Sequence, residues 1–196
     1  AFRVLEPVVQ TEEPPRIVCF EGALEQLLGD LSVHRIDLVI SDRPIPPGLN
    51  VRAYTHPLGS SEVGFFAARR SAAKWARSFP QSLDGAPVLL PLSGSPLRRA
   101  LEEWFDRLQI APRVLAEFDD SALLKAFGES GIGLFPAPVA ISLQVEHMYH
   151  AKCVGLVEQV AESYFAISPD RRLKDPVVIN IIESARAGLT GRQRRP

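Results

Sequence analysis

The segment Arg16-Ile-Val-Cys-Phe-Glu-Gly-Ala-Leu-Glu-Gln-Leu-Leu-Gly-Asp-Leu-Ser-Val-His-Arg-Ile-Asp-Leu-Val-Ile-Ser-Asp42 carries the pattern on which the fold class turns. Its first five residues are β-branched and aromatic, and Pro14-Pro15 stops any helix begun at Phe2, Val4 and Leu5, so a strand is expected over 16–20. Leu24, Leu27, Leu28 and Leu31 recur at i, i+3, i+4 and i+7, which predicts an amphipathic helix over 22–34. Ile36 to Ile40 is a near-continuous apolar run closed by Ser41-Asp42-Arg43-Pro44, suited to a parallel strand covered on both faces. Together these read as a β-α-β unit with a right-handed crossover.

Alternation of strand and helix continues downstream. Strands are expected at Leu49 to Tyr54 and Glu62 to Ala68, separated by the break His56-Pro57-Leu58-Gly59-Ser60. A short helix over 71–78 and a strand over 86–92 follow. Ser95-Pro96 then supplies an N-cap with proline at the first helical position, ahead of an apolar stripe of Leu97, Leu101, Trp104, Phe105 and Leu108. Val114 to Phe118 reads as a strand, Asp119-Asp120-Ser121 as the cap of a helix to about Glu129, and Gly131 to Pro136 as a strand. A helix over 139–150, strands at 153–157 and 163–168, and a last helix marked by Val177, Val178, Ile181, Ile182 and Ala185 complete the chain. Residues 192–196 read as a loose polar tail. The class is α/β in two lobes, whose ligands bind outside the carboxyl ends of strands.

Composition narrows the functional classes. The 196 residues are 46% hydrophobic and 23% charged, as in a folded globular chain. A net charge of −1 leaves no sequence-wide attraction for phosphate backbones or anionic lipid. No apolar run approaches a membrane span, and no signal peptide precedes Ala1, so a cytoplasmic protein without membrane association is expected. Cys19 and Cys153 form neither a CxxC pair nor a disulfide framework and read as reduced thiols inside strands. His147 and His150 sit three apart on a helix without further ligands at metal spacing, the pattern of surface histidines. Ser41 and Asp42 have no histidine nearby in sequence, and neither a P-loop, a G-x-S-x-G elbow nor an H-E-x-x-H occurs, so no catalytic engine is visible and no enzyme is expected.

The run from Leu24 through His34-Arg-Ile-Asp-Leu-Val-Ile-Ser-Asp42, followed by Ser121-Ala-Leu-Leu-Lys-Ala-Phe-Gly-Glu-Ser-Gly-Ile-Gly-Leu-Phe-Pro136, resembles the effector-binding (substrate-binding) domain of LysR-type transcriptional regulators. Four further stretches, Ile45-Pro-Pro-Gly-Leu-Asn-Val-Arg-Ala53, Phe79-Pro-Gln-Ser-Leu-Asp-Gly-Ala-Pro87, Arg98-Arg-Ala-Leu-Glu-Glu-Trp-Phe-Asp106 and Glu117-Phe-Asp-Asp-Ser-Ala122, are similar to sodium-responsive activators of that family, which control a Na⁺/H⁺ antiporter gene. The resemblance covers nearly the whole chain. It implies a two-lobed, periplasmic-binding-protein-like (type II) fold, with residues 1–58 and 140–196 in one lobe and 59–139 in the other. It also implies a homodimer or tetramer, a small effector or cation in the interlobe cleft, and DNA binding only through an N-terminal winged helix-turn-helix domain absent from this chain. The family's first strand and the turn after it are expected ahead of Ala1.

Carried over residue by residue, the resemblance lines the effector pocket with Ser41, Asp42 and Arg43, with Ser93 and Ser95, with Asp119, Asp120 and Ser121, and with Pro136. Two chemistries fit those residues. Helix N-termini with capping serines, together with Arg43 and Arg98, favour an anion. Asp42, Asp119 and Asp120 with serine hydroxyls favour a hard cation, and the bland alternative is that Asp119 and Asp120 only cap a helix. The resemblance tips the balance to Na⁺ or Li⁺ as effector, with Asp42 and Asp119 as its carboxylate ligands and no other cofactor. The alternative from a different class is a solute-binding protein for a small anionic ligand.

Overall fold

The computed structural model describes residues 2–190, which fall into two compact units. Unit 1 takes the chain up to Ser60 and again from Ser163; unit 2 is Ser61–Glu162. The helices are α1 (Phe2–Val9), α2 (Leu24–Ser32), α3 (Arg69–Ala76), α4 (Pro96–Leu108), α5 (Ser121–Glu129), α6 (Ser142–Met148) and α7 (Pro176–Thr190). The strands are β1 (Val39–Ser41), β2 (Tyr54–Ala68), β3 (Pro87–Pro91), β4 (Arg113–Phe118), β5 (Phe135–Pro138) and β6 (Ala151–Ser168). Hydrogen bonding orders one sheet β1-β6-β2-β5 and pairs β3 with β4.

In unit 1, β1 runs antiparallel to the end of β6, with Val39 opposite Ile167 and Ser41 opposite Phe165. Alternation along the strand sends neighbouring side chains to opposite faces. Ile167 and Val39 therefore join Leu24, Leu28 and Leu31 of α2, whereas Ala166 joins Val178, Ile182 and Ala185 of α7. Helix α1 packs on α7 and buries Val8.

Unit 2 repeats this layering. Val63, Phe65 and Ala67 of β2 with Val88 and Leu90 of β3 face Leu101, Trp104 and Phe105 of α4. Phe66, Leu89 and Phe135 face Leu124 of α5 and Val145 of α6 on the other side. Strands covered on both faces explain the continuous apolar runs read in the sequence. Strands β3 and β4 are parallel, and Leu134 makes a further parallel bridge to Val88, so the second β-α-β-α-β run forms as expected.

Several expectations are corrected. Residues 16–20 form no strand: among the described residues nothing pairs with their backbone, and Val18 and Phe20 stay 58% and 63% exposed. The first unit consequently lacks the parallel β-α-β, and β1 finds an antiparallel neighbour instead. Leu49 to Ala53 is irregular, closed by short local hydrogen bonds such as Val51 N–H to Leu49 O at 3.0 Å. The break at 56–60 lies inside β2, where Gly59 at φ +147° comes close under Leu189. The strands expected at 153–157 and 163–168 are one strand, β6.

The assignment of 140–162 to the first lobe is also corrected. Val145 and Ala151 complete one core of unit 2, and Val154, Val157 and Val160 the other, so burial ties this segment to unit 2. The chain leaves that unit at 162/163 on β6 rather than near Pro136 to Pro138. The tail expected at 192–196 lies outside the described residues.

Candidate functional site

Of the residues carried over for the effector, Ser41, Asp42 and Arg43 belong to unit 1, and Ser93, Ser95, Asp119, Asp120, Ser121 and Pro136 to unit 2. Ser41 ends β1, and its hydroxyl accepts from the Arg43 backbone N–H at 3.2 Å, a local turn that leaves Asp42 exposed. Arg43 reaches back to α2, with Nη2 3.6 Å from Glu25 Oε1, while its Nε is buried without a hydrogen-bond partner among the described residues. A buried donor with no acceptor is costly, which makes Arg43 the first-unit side chain with unspent hydrogen-bonding capacity.

Both helix starts in unit 2 are built as the sequence implies. Ser95 caps α4 by accepting from Arg98 N–H at 3.1 Å, with Pro96 opening the helix. Asp120 caps α5 by accepting from Ala122 N–H at 2.7 Å, which satisfies one donor of the first turn and places a carboxylate on the positive end of the helix. The capping reading thus holds for Asp120. Ser93, Asp119 and Ser121 are exposed beside these starts. Pro136 does not end a strand: it is buried within β5 opposite Phe65.

Arg98 is corrected as an anion ligand. It is 8% exposed and already engaged within the fold, reaching Glu102 at 2.6 Å, Glu117 at 2.9 Å and the Pro91 carbonyl at 3.0 Å. Burial, the largest influence, pushes its pKa down, and hydrogen bonds and charges from Glu117 and Glu102 together outweigh it and raise the pKa. Arg98 therefore locks α4 to β3 and β4. The open surface depression beside it, about 240 Å³, is floored by Leu90, Phe105, Ile110 and Val114.

Lys125 on α5 escaped the sequence reading. It is 9% exposed, and burial lowers its pKa, opposed by the charges of Glu162 and Asp120. Its position was readable in principle, because Gly128 three residues on marks the helix face that meets Phe135. Cys19 is exposed rather than buried in a strand, and Cys153 is half-buried with its pKa raised by desolvation. His150 pairs with Glu129 at 2.7 Å on the surface. Among the described residues no three His, Cys, Asp or Glu side chains converge as metal ligands, and no helix is long and apolar enough to cross a membrane.

Residues 15–190 match the family described as the LysR substrate binding domain. The chain is 35% identical over 189 residues to the transcriptional activator protein NhaR of Escherichia coli (strain K12), covering 95% of this chain and 61% of that protein. This chain thus spans under two thirds of its relative's length. Among solved structures it is similar to the effector-binding domain of QuiR in complex with shikimate, with a TM-score of 0.66, 17% identity, and 93% and 86% of the two chains covered. Full-length CbnR complexed with its target DNA gives a TM-score of 0.68 at 15% identity, covering 94% of this chain and 64% of that one. These two likenesses speak for the fold. The matched relatives are transcriptional regulators, a non-enzymatic family, and on the match across residues 15–190 this chain belongs to the LysR substrate-binding-domain family.

Proposed function

We propose that this chain is the effector-sensing and dimerisation domain of a cytoplasmic LysR-type activator that responds to Na⁺ or Li⁺ and regulates Na⁺/H⁺ antiporter expression. The observation that carries this reading is the 35% identity to NhaR over 95% of the chain. Asp42 and Asp119 are the proposed carboxylate ligands; both are exposed, and neither forms an ion pair among the described residues. Hard monovalent cations take oxygen ligands of this kind. DNA would be reached through a winged helix-turn-helix outside these residues, in a homodimer or tetramer.

A second reading, a small anion as effector, draws on the unsatisfied buried Nε of Arg43. It also draws on QuiR, which has this fold and was solved with shikimate. A reporter gene driven by the full-length regulator separates the two. With NaCl, LiCl and KCl compared at constant ionic strength, sodium sensing requires activation by the first two salts, lost in Asp42→Ala or Asp119→Ala. Equal responses to all three salts would mean general screening and end the sodium reading.

A further inference from the structure

One strand edge and one strand-like segment are left unpaired in this chain. Among the described residues β4 is hydrogen-bonded only to β3, so its outer edge is free, and Val114 and Leu115 stay 40% and 41% exposed. Arg16-Ile-Val-Cys-Phe20 has strand composition and no backbone partner among the described residues, with Val18 and Phe20 in solvent. Unpaired N–H and C=O groups along an apolar edge are a template for another strand. Beside the start of β4 lies the depression of about 240 Å³ floored by Leu90, Phe105, Ile110 and Val114, with Glu102 and Asp106 of α4 on its wall. It is smaller than the roughly 300–1,000 Å³ of small-molecule sites, a size suited to an inserted side chain.

We propose that segment 16–20 of a second copy of this chain adds antiparallel to the free edge of β4, with Phe20 seated in that depression, and that the reciprocal pair forms about a two-fold axis. The inference rests on the dimerisation part of the reading above and gives it an interface. Charge sets the direction. An antiparallel alignment brings Arg16 to Glu117 and Glu21 to Arg113, whereas a parallel one sets Arg16 against Arg113 and Glu21 against Glu117. Glu12 and Glu13 lie beyond Pro14-Pro15, outside the paired stretch. Glu117 keeps 34% of its side chain exposed beside its bond to Arg98, and exposed Asp119 adds negative charge at the same end of the strand. The same direction carries Phe20 to the Arg113 and Val114 end of β4, where the depression lies; the parallel one would leave it at Phe118, away from it. Main-chain bonds then supply affinity and the aromatic anchor specificity, the usual division in strand addition. Each copy carries both halves of the contact, so two reciprocal pairs close the assembly at a dimer.

The test is sedimentation velocity over a concentration series reaching tens of micromolar, for the native chain, Phe20→Ser, Glu21→Arg, Arg113→Glu and the double variant Glu21→Arg with Arg113→Glu. All substituted positions are exposed, and circular dichroism checks that each variant keeps the native fold. The native chain should dimerise, and Phe20→Ser should raise the dimer Kd by about tenfold or more, the effect of removing an aromatic anchor. Each single charge reversal should raise Kd by about tenfold by setting like charges face to face, and the double variant should return it to near the native value. A dimer of native strength in Phe20→Ser and both single reversals overturns the proposal and leaves dimerisation standing. Weakening by the single reversals without recovery in the double variant overturns the antiparallel pairing. A native chain that stays monomeric at tens of micromolar overturns both the interface and the dimerisation reading, and leaves the β4 edge to a different partner.

Discussion

Arg98 on α4 holds Glu117 on β4 at 2.9 Å, with Glu102 one helical turn along at 2.6 Å on the other side of the same guanidinium. The two carboxylates are not equivalent, because Glu117 is 34% exposed and Glu102 51%. Glu117→Ala should destabilise the chain by about 1–3 kcal/mol, the usual cost of withdrawing a partner from a buried charged group. Glu102→Ala should cost less, since a pair within one helix at its surface is worth only about 0.5 kcal/mol. Urea denaturation of both variants checks the order, and equal losses would show that Arg98 does not couple α4 to β4.

Helix α5 approaches β5 so closely that a Cβ at Gly128 would run into the Phe135 ring. Gly128→Ala should therefore cost about 1–3 kcal/mol through overpacking. Gly29 in α2 has nothing within 4 Å of where its Cβ would stand. Gly29→Ala should stabilise by roughly 0.5–1 kcal/mol, because alanine loses less backbone freedom in a helix. Thermal melting of the two variants should move the midpoint in opposite directions, and a loss of stability in both would count against the open space at Gly29.

What the sequence made legible was local, and what it hid depended on distant partners. Ser95-Pro96 and Asp120-Ser121 announce their helices because a cap needs only a side-chain oxygen and the amides two or three residues on. Residues 16–20 have strand composition, but a strand also needs a neighbour, and nothing in the composition says whether one is present. The long course of β6 was equally hidden. Leu156 to Ser163 contains neither glycine nor proline, yet Gln159 adopts a left-handed φ of +63° within the strand, a conformation its residue type does not signal. The candidate site divides in the same way: the capping Asp120 was readable, whereas Arg98 looked like a free cation until its two glutamates met it from the same helix and from β4.

The two thiols should differ sharply in reactivity. Cys19 is exposed on the unpaired segment before α2, whereas desolvation raises the pKa of half-buried Cys153, which donates weakly to Gly155 O at 3.6 Å. The thiolate is the reactive form, so a raised pKa and restricted access both slow Cys153. A disulfide reagent added to the native chain near neutral pH should label Cys19 in a fast phase and Cys153 in a slow one. Cys19→Ser should abolish only the fast phase, and a single phase accounting for both thiols would contradict the burial of Cys153.

Burial lowers the Lys125 pKa below 10.5, and Glu162 and Asp120 oppose that only in part. Between the lowered value and 10.5 the unfolded chain binds more protons at this position than the folded one, so the contribution of Lys125 to stability rises with pH through that window. Below the window both states are charged, and the fold carries the whole cost of burying the ammonium. Above it both are neutral, and the cost is gone. Lys125→Met removes the charge at every pH and puts an unbranched apolar side chain in the same buried position. The variant should therefore exceed the native chain in stability most at neutral pH, with the advantage shrinking as pH approaches 10.5. Urea denaturation of both proteins across that range, at fixed ionic strength, reads the difference directly. An advantage constant with pH would assign the effect to packing alone, and a deficit at neutral pH would show that Glu162 and Asp120 stabilise the ammonium by more than its burial costs.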